Sequence, residues 1–282
     1  MVSTETIRTA VGITGNIISF ALFLSPLPTL IQIRKKKSVE QYSVIPYIAT
    51  ILNCGLWFLY SMPMVHPHSI LLATVNGIGL IIELLYAFFF IFYSDSKKKR
   101  LRVMVLIFAE FLFIAILALL VLNLASTTKQ RSAIVGSICT AGNIMMYASP
   151  LAIMKLVITT KSVEYMPLFV SLASFANSVN WTAYAFYPFD PFIVVPNGVG
   201  AVFGLTQLLL YARFYKSTRK QLAQEDKTEV GLAKKPICEN YKSTMDKNGC
   251  LPQAQEIPQI LDPSLMGSAV VVLIKEPLNS LA

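Results

Sequence analysis

Long apolar runs broken by short polar or basic segments dominate the first 215 residues. A membrane hydrocarbon core needs about 20 apolar residues in a helix to cross it. The pattern predicts spans at about 9–33, 44–63, 69–93, 102–124, 132–156, 166–187 and 190–214. Several contain Pro or Gly, which a span tolerates when neighbouring helices satisfy the freed backbone groups. The sixth and seventh are separated by little more than "YPFDP", a tight turn at one membrane face. Beyond about Ser217 the chain becomes polar and loses its period. That stretch reads as a disordered tail, and its late "GSAVVVLI" is too short to span.

The basic residues between the runs give the orientation. Arg34, Lys35, Lys36 and Lys37 follow the first span, and Lys97, Lys98, Lys99, Arg100 and Arg102 follow the third. Lys155 and Lys161 flank the end of the fifth; Arg213, Lys216, Arg219 and Lys220 open the tail. The other side has only Arg8, Lys129 and Arg131 near the spans. The positive-inside rule therefore puts the N-terminus outside and the tail in the cytosol. "MVSTETIRTAVG" lacks a basic n-region and a small-residue cleavage site, so the first run is expected to stay as a span. The "NWT" sequon at Asn180 falls inside the sixth span, where glycosylation is not expected.

Composition agrees. The 282 residues are 55% hydrophobic and 14% charged, against about a quarter charged in a soluble domain. The net charge of +9 lies between apolar runs, which speaks for membrane orientation over nucleic-acid binding. Cys54, Cys139, Cys238 and Cys250 are scattered, without the spacing of a disulfide framework or a metal site. No HExxH, GxSxG or phosphate-binding loop occurs. The two histidines, His66 and His68, share one outer loop. An enzyme, a bound cofactor and a resident metal are not expected.

The chain repeats itself. "KSVE" occurs at Lys37–Glu40 and again, 124 residues on, at Lys161–Glu164. The same shift pairs Ser25-Pro26 with Ser149-Pro150, Asn53 with Asn177, Trp57 with Trp181 and Tyr60 with Tyr184. A shift of 121 pairs "NGIG" from Asn76 with "NGVG" from Asn197, and Pro46 with Pro167. Each copy covers three spans. The odd span between them (102–124) lets the second copy enter in the same orientation as the first, so the repeats are parallel. The expected fold is all-α: seven transmembrane helices as two parallel three-helix bundles joined by a linker helix, 3+1+3. Its segments are a first repeat at 7–98, a linker at 99–130, a second repeat at 131–217 and a tail at 218–282. Repeats of this kind are a transporter architecture, with the ligand site between the halves near the midplane.

With these motifs in this order, the chain resembles the plant SWEET sugar facilitators over roughly residues 7–217. The resemblance implies sugar as substrate, the lipid bilayer as surroundings, no cofactor, and association with further copies or relatives. It implies that Asn76 and Asn197 bind the sugar. An amide buried in hydrocarbon is costly unless bonded, and a lone one serves as interhelical glue worth about 1 kcal/mol. Two at equivalent places instead offer donors and acceptors to a hydroxyl. Trp57 and Trp181 are the only tryptophans, and each lies four residues after an Asn on the same helix face. Interfacial anchoring is the common use of Trp; the resemblance places one ring on each side of a sugar. It further implies that Asn53, Asn177, Leu22 and Met146 set substrate size. This set is bulky beside the Val and Ser of sucrose-carrying relatives and favours a monosaccharide.

By the same resemblance Pro26, Pro46, Pro150 and Pro167 form a hinge set near the cytosolic gate, and Tyr60 with Asp190 an outer gate. Asp190 could also be solvated or cap the seventh helix. "GVGAVFG" holds Gly200 and Gly204, a spacing that permits close packing within the fold or between copies. The Ser of each KSVE is expected at a helix N-cap. The paired site positions are neutral. The intramembrane acids Glu83 and Glu110 have no acidic repeat partner, since Glu83 aligns with Gly204. The sequence thus points to facilitated diffusion of a glucose-like hexose by alternating access, in the plasma membrane or an internal one such as the vacuole. The alternatives are a sucrose carrier of the same family and a proton-coupled amino-acid carrier of the PQ-loop group. A seven-helix receptor shares the topology but not the duplication.

Overall fold

A computed structural model describes residues 3–39 and 42–233, with side chains through Gln224. Nine helices occur among them: α1 Thr4–Phe23, α2 Leu27–Lys36, α3 Ile45–Tyr60, α4 Ile70–Tyr93, α5 Lys97–Leu124, α6 Thr128–Met146, α7 Ala148–Thr160, α8 Leu168–Tyr184 and α9 Pro191–Ala233. They make seven rods, because α1 runs into α2 and α6 into α7 across a short break. The two breaks stand at repeat-related levels. In the first, the Ser25 amide turns back to the Leu22 carbonyl at 3.0 Å; in the second, the Tyr147 amide turns to the Ile144 carbonyl at 3.1 Å. Pro26 and Pro150, without an N–H to donate, sit at or just beyond these tightened turns.

Five rods are long and apolar enough to cross a bilayer: Thr4–Lys36, Ile70–Tyr93, Lys97–Leu124, Thr128–Thr160 and Pro191–Gln224. The remaining two, α3 and α8, are shorter, at 16 and 17 residues. Each starts beside a proline, Pro46 in the first turn of α3 and Pro167 at the N-cap of α8. The two spans read as 44–63 and 166–187 are therefore trimmed to a helical core. Beyond that core the chain runs in turns and irregular backbone.

Six rods close into a ring. α4 packs between α1 and α3, and α9 packs between α8 and the α6–α7 rod. The halves meet along two seams, α1 on α8 and α3 on α6. Exchanging the halves maps one seam onto the other, as parallel repeats require. α5 lies outside the ring against α3, α4 and α6, with only Val103, Leu117 and Val121 of its length buried. The largest core cluster bridges both seams, joining Trp57 and Tyr60 to Trp181 and Tyr184. The first half has its own cluster around Tyr47, Ile51 and Tyr86.

Small residues set how closely the helices approach, both across a seam and within a half. A Cβ on Gly15 of α1 would stand 2.5 Å from the Asn180 amide nitrogen and 3.0 Å from the Trp181 ring. Asn180 is thereby held with its amide donating to the Val11 carbonyl at 3.0 Å. Gly204 of α9 lies against α8 in the same way, where a Cβ would come within 2.9 Å of the Phe175 Cα. Gly200 and Gly204 thus serve contacts inside one half.

Each KSVE ends a helix instead of beginning one. Lys37 and Lys161 are the C-caps of α2 and α7, both left-handed, with φ of 52° and 55°. The N-caps of the helices that follow are Val44 and Pro167, so the KSVE serines cap neither. The valines Val39 and Val163 are buried and pin the turn. α9 continues helical to Ala233, past the Ser217 boundary read from composition. The rest of the tail, with Cys238, Cys250 and "GSAVVVLI", lies outside the described residues; Cys54 and Cys139 are buried free thiols.

Candidate functional site

A cavity of about 220 Å³ lies at the centre of the ring. Both halves line it with equivalent helices. α3 contributes Asn53 and Trp57 and α4 contributes Asn76; α8 contributes Asn177 and Trp181 and α9 contributes Asn197. Leu22 from the last turn of α1 completes the expected residues found there. Met146 is not among them. It is the last residue of α6, one turn past Asn143 and just before the break, and lines a separate cavity with Pro150 and Pro167.

The paired asparagines are held alike. Asn76 donates one amide hydrogen to the Leu72 carbonyl at 2.8 Å, and Asn197 one to the Ile193 carbonyl at 2.9 Å. Each is tied to its own helix four residues back. The amide oxygen and second N–H of each have no partner among the described residues, which leaves a donor and an acceptor for a ligand.

The paired tryptophans are held alike too, and across the seams. Trp57 Nε1 donates to Asn143 Oδ1 at 3.4 Å, and Trp181 Nε1 to Ser19 Oγ at 3.2 Å. Asn143 lies 124 residues after Ser19, so each indole binds the same repeat position of the opposite half. Ser19 passes its own hydrogen to Asn177 Oδ1 at 2.7 Å. Each indole also meets a tyrosine edge-on, Trp57 with Tyr60 at 5.5 Å and Trp181 with Tyr184 at 5.2 Å. Ser19 and Asn143 both line the cavity and were missed in the sequence. The available signal was a polar residue at one repeat position of an apolar span in both copies.

The end of the ring away from the KSVE turns is closed by a polar cluster. Tyr60 is fully buried, and its hydroxyl donates to Asp190 Oδ2 at 2.8 Å. Asp190 Oδ1 accepts from the Phe192 amide at 3.0 Å, so the same carboxylate caps α9 and ties down Tyr60. It is itself buried, which rules out a merely solvated role. His66 stacks on Tyr60, with ring centroids 4.8 Å apart, and its Nε2 lies 3.4 Å from Asp190 Oδ2. Ser132 gives its hydrogen to the Val65 carbonyl at 2.6 Å, so at 3.0 Å its oxygen accepts from His66 Nδ1–H. Burial pulls the His66 pKa below the usual histidine value, outweighing the upward pull of Asp190; Arg8 and His68 add to the lowering. His66 and Ser132 were not singled out from the sequence, where His66 is only a loop histidine.

The four prolines stand near helix starts at the opposite end: Pro26 and Pro167 are N-caps, while Pro46 and Pro150 lie in the first turns of α3 and α7. Pro150 and Pro167 share a cavity wall; Pro26 and Pro46 are half-buried in the first half. Glu83 and Glu110 are inside the helices, each with Oε2 lacking a hydrogen-bond partner, and neither lines the central cavity. No cluster of His, Cys, Asp and Glu among the described residues could hold a metal ion.

A ring of two parallel repeats around a polar, tryptophan-flanked cavity defines a membrane transporter class. Residues 9–98 and 133–219 match the family model described as "Sugar efflux transporter for intercellular exchange". The chain is 53% identical to the bidirectional sugar transporter SWEET7 of Arabidopsis thaliana, over 80% of this chain and 89% of that one. It is 54% identical to the bidirectional sugar transporter SWEET4 of Oryza sativa subsp. indica, over 82% and 88%. The solved structure of a eukaryotic SWEET transporter superposes with a TM-score of 0.72 at 39% identity, covering 74% of this chain and 97% of that one. The chain belongs to the SWEET family.

Proposed function

We propose that this protein carries a monosaccharide of the glucose type across a membrane in either direction, by facilitated diffusion. The observation that carries this reading is the convergence of Asn53, Trp57, Asn76 and their repeat partners on one cavity. The indoles offer flat apolar faces to the C–H side of a sugar ring, and the amides offer hydrogen bonds to its hydroxyls. The volume of about 220 Å³ lies below the range of roughly 300–1,000 Å³ typical for drug-sized ligands, which favours one sugar ring over two. The names of the relatives, bidirectional sugar transporters, support the substrate class.

In the proposed cycle the two halves rock about the cavity. The Tyr60–Asp190 bond closes one mouth in the present conformation, and the proline-bearing ends open and close the other. The basic segments put the KSVE end in the cytosol and the N-terminus outside, with the plasma membrane as the expected site. The cavity has no acid in its lining, so the sugar gradient alone drives flux. Uptake of labelled glucose into vesicles of purified protein tests the reading. Asn76→Ala and Asn197→Ala should each abolish uptake while the protein remains folded in the membrane. Retained uptake would show that the site is misplaced, and a strong dependence on an imposed proton gradient would refute passive transport.

A further inference from the structure

A second cavity, of about 330 Å³, lies within the second half between α6–α7, α8 and α9. It shares no lining residue with the central one, yet it abuts it. Asn143, Asn177 and Asn197 line the centre; Met146, Ser174 and Gly200, each three residues away on the same three helices, line the second cavity. Three residues are about one helical turn, or roughly 5 Å. The second cavity is displaced toward the KSVE end, as its prolines Pro150 and Pro167 show.

Its chemistry is that of a neutral polar site. Ser171, Ser174 and Ser178 present hydroxyls from one face of α8, and Gln207 presents an amide from α9. None of these four side chains has a hydrogen-bond partner among the described residues. Ser171 is only 4% exposed, so its free hydroxyl is directed at the cavity and not at bulk solvent. Buried polar groups are ordinarily bonded, to protein or to something that enters. The wall also carries aromatic surface: Phe203 and Tyr147 meet edge-on at 5.2 Å. No charged side chain lines the cavity, which favours a neutral ligand.

The first half shows how such a space is closed when it is not used. The positions equivalent to Ser171 and Gln207 are Tyr47 and Tyr86, and Gly204 is matched by Glu83. Tyr47 and Tyr86 are buried and pack edge-on at 5.6 Å, and the Tyr86 hydroxyl donates to the Phe23 carbonyl at 2.8 Å. The second half has small and amide side chains where the first has two phenols and a carboxyl.

We infer that the second-half cavity is a further sugar-binding station, one turn from the central site on the route to the cytosolic mouth. The inference rests on the sugar-transport reading above. Hydroxyls of α8, the Gln207 amide and the Phe203–Tyr147 pair would hold a neutral polyol there through hydrogen bonds and ring stacking. A sugar leaving the centre then exchanges one set of neutral partners for another on the same three helices.

Binding of labelled D-glucose to the purified full chain tests this. Two sugars should bind per chain. Both tryptophans line the central cavity, so their fluorescence reports that site alone. Gln207→Leu combined with Ser174→Ala removes polar groups at nearly constant volume. It should reduce binding to one sugar, leave the tryptophan response intact, and raise the KM measured from the cytosolic side about threefold or more. The KM measured from the other side should not move. Ser171→Tyr with Gln207→Tyr, which installs the first half's residues, should do the same. Conversely, Asn76→Ala with Asn197→Ala should silence the tryptophan response and leave one sugar bound. A single sugar per wild-type chain with an intact tryptophan response would overturn the second station and leave the central site standing. Two sugars in both cavity variants would overturn it equally. No binding and no tryptophan response would overturn the transport reading and this inference together.

Discussion

The two seams between the halves are related by the repeat, yet they are fastened differently. Where α3 meets α6, Tyr60 hydrogen-bonds to a buried carboxylate and is covered by His66, which is bonded in turn to Ser132. Where α1 meets α8, the equivalent Tyr184 lies beneath the Arg8 guanidinium at 4.4 Å, and Arg8 donates to the His68 carbonyl at 2.9 Å. The position equivalent to Asp190 is Ser69, whose hydroxyl is buried without a partner. In the centre the halves agree: asparagine, tryptophan and the bond from each indole to the far half recur. Symmetry is kept at the central cavity, where in the proposed function one small ligand meets both halves at once. It is lost at the closed mouth, where one firm latch is enough and a second would only make opening harder.

The largest effect should come from breaking the latch. Asp190→Ala leaves the Tyr60 hydroxyl buried and unbonded and strips the cap from α9, a loss of about 3 kcal/mol when the two are combined. Arg8→Ala on the other seam removes a cation–π contact worth about 1–2 kcal/mol. Thermal unfolding in detergent should rank them in that order. Equal losses would mean that the seams are fastened equally. The central symmetry is sharpened by Trp57→Phe and Trp181→Phe, which keep a ring and delete one cross-seam hydrogen bond each. Both should cost about 1 kcal/mol and both should weaken glucose uptake, to a similar degree. A tenfold difference between them would break the equivalence.

A smaller effect depends on pH. The pKa of His66 is lowered in the folded chain, chiefly by burial. Below the ordinary histidine value the unfolded chain binds a proton that the folded chain resists, so stability falls as pH is lowered through that range. His66→Phe keeps the ring on Tyr60 and should flatten this part of the stability profile. An unchanged profile would assign the titration elsewhere. The smallest effect concerns the two ends that the halves share most closely. Lys37→Gly and Lys161→Gly relieve a left-handed backbone that costs a non-glycine residue about 1–2 kcal/mol, offset in part by the entropy glycine loses on folding. Each should raise the unfolding midpoint slightly, and by the same amount.

Most of the ring could be read from the order of residues, because apolar length and basic punctuation report directly on a bilayer. The internal shift alone pairs Asn53, Trp57 and Asn76 with Asn177, Trp181 and Asn197. What it could not place depends on the breaks in α1–α2 and α6–α7. The first helix ends after Leu22, whereas α6 ends at Met146 itself, so two aligned residues face different spaces. His66 was hidden for a related reason. Its role comes from a tyrosine, a serine and an aspartate on three other segments, and no local pattern announces such a meeting. The KSVE lysines show the reverse. The repeat drew attention to them, but their left-handed backbone is a property of conformation that the letters do not display.

The crossed indole bonds have a mechanical consequence. They sit at matching heights on the two seams, each joining the second helix of one half to the first helix of the other. In the proposed cycle they form an axle, about which the halves can tilt without pulling either bond apart. Tyr60 lies one turn beyond Trp57, about 5 Å along the helix. The latch therefore works on a short lever arm, and a bond of 2.8 Å has little slack before it ceases to be one. In the proposed cycle the tilt that stretches this bond at one mouth closes the other, so the two mouths change in a single movement.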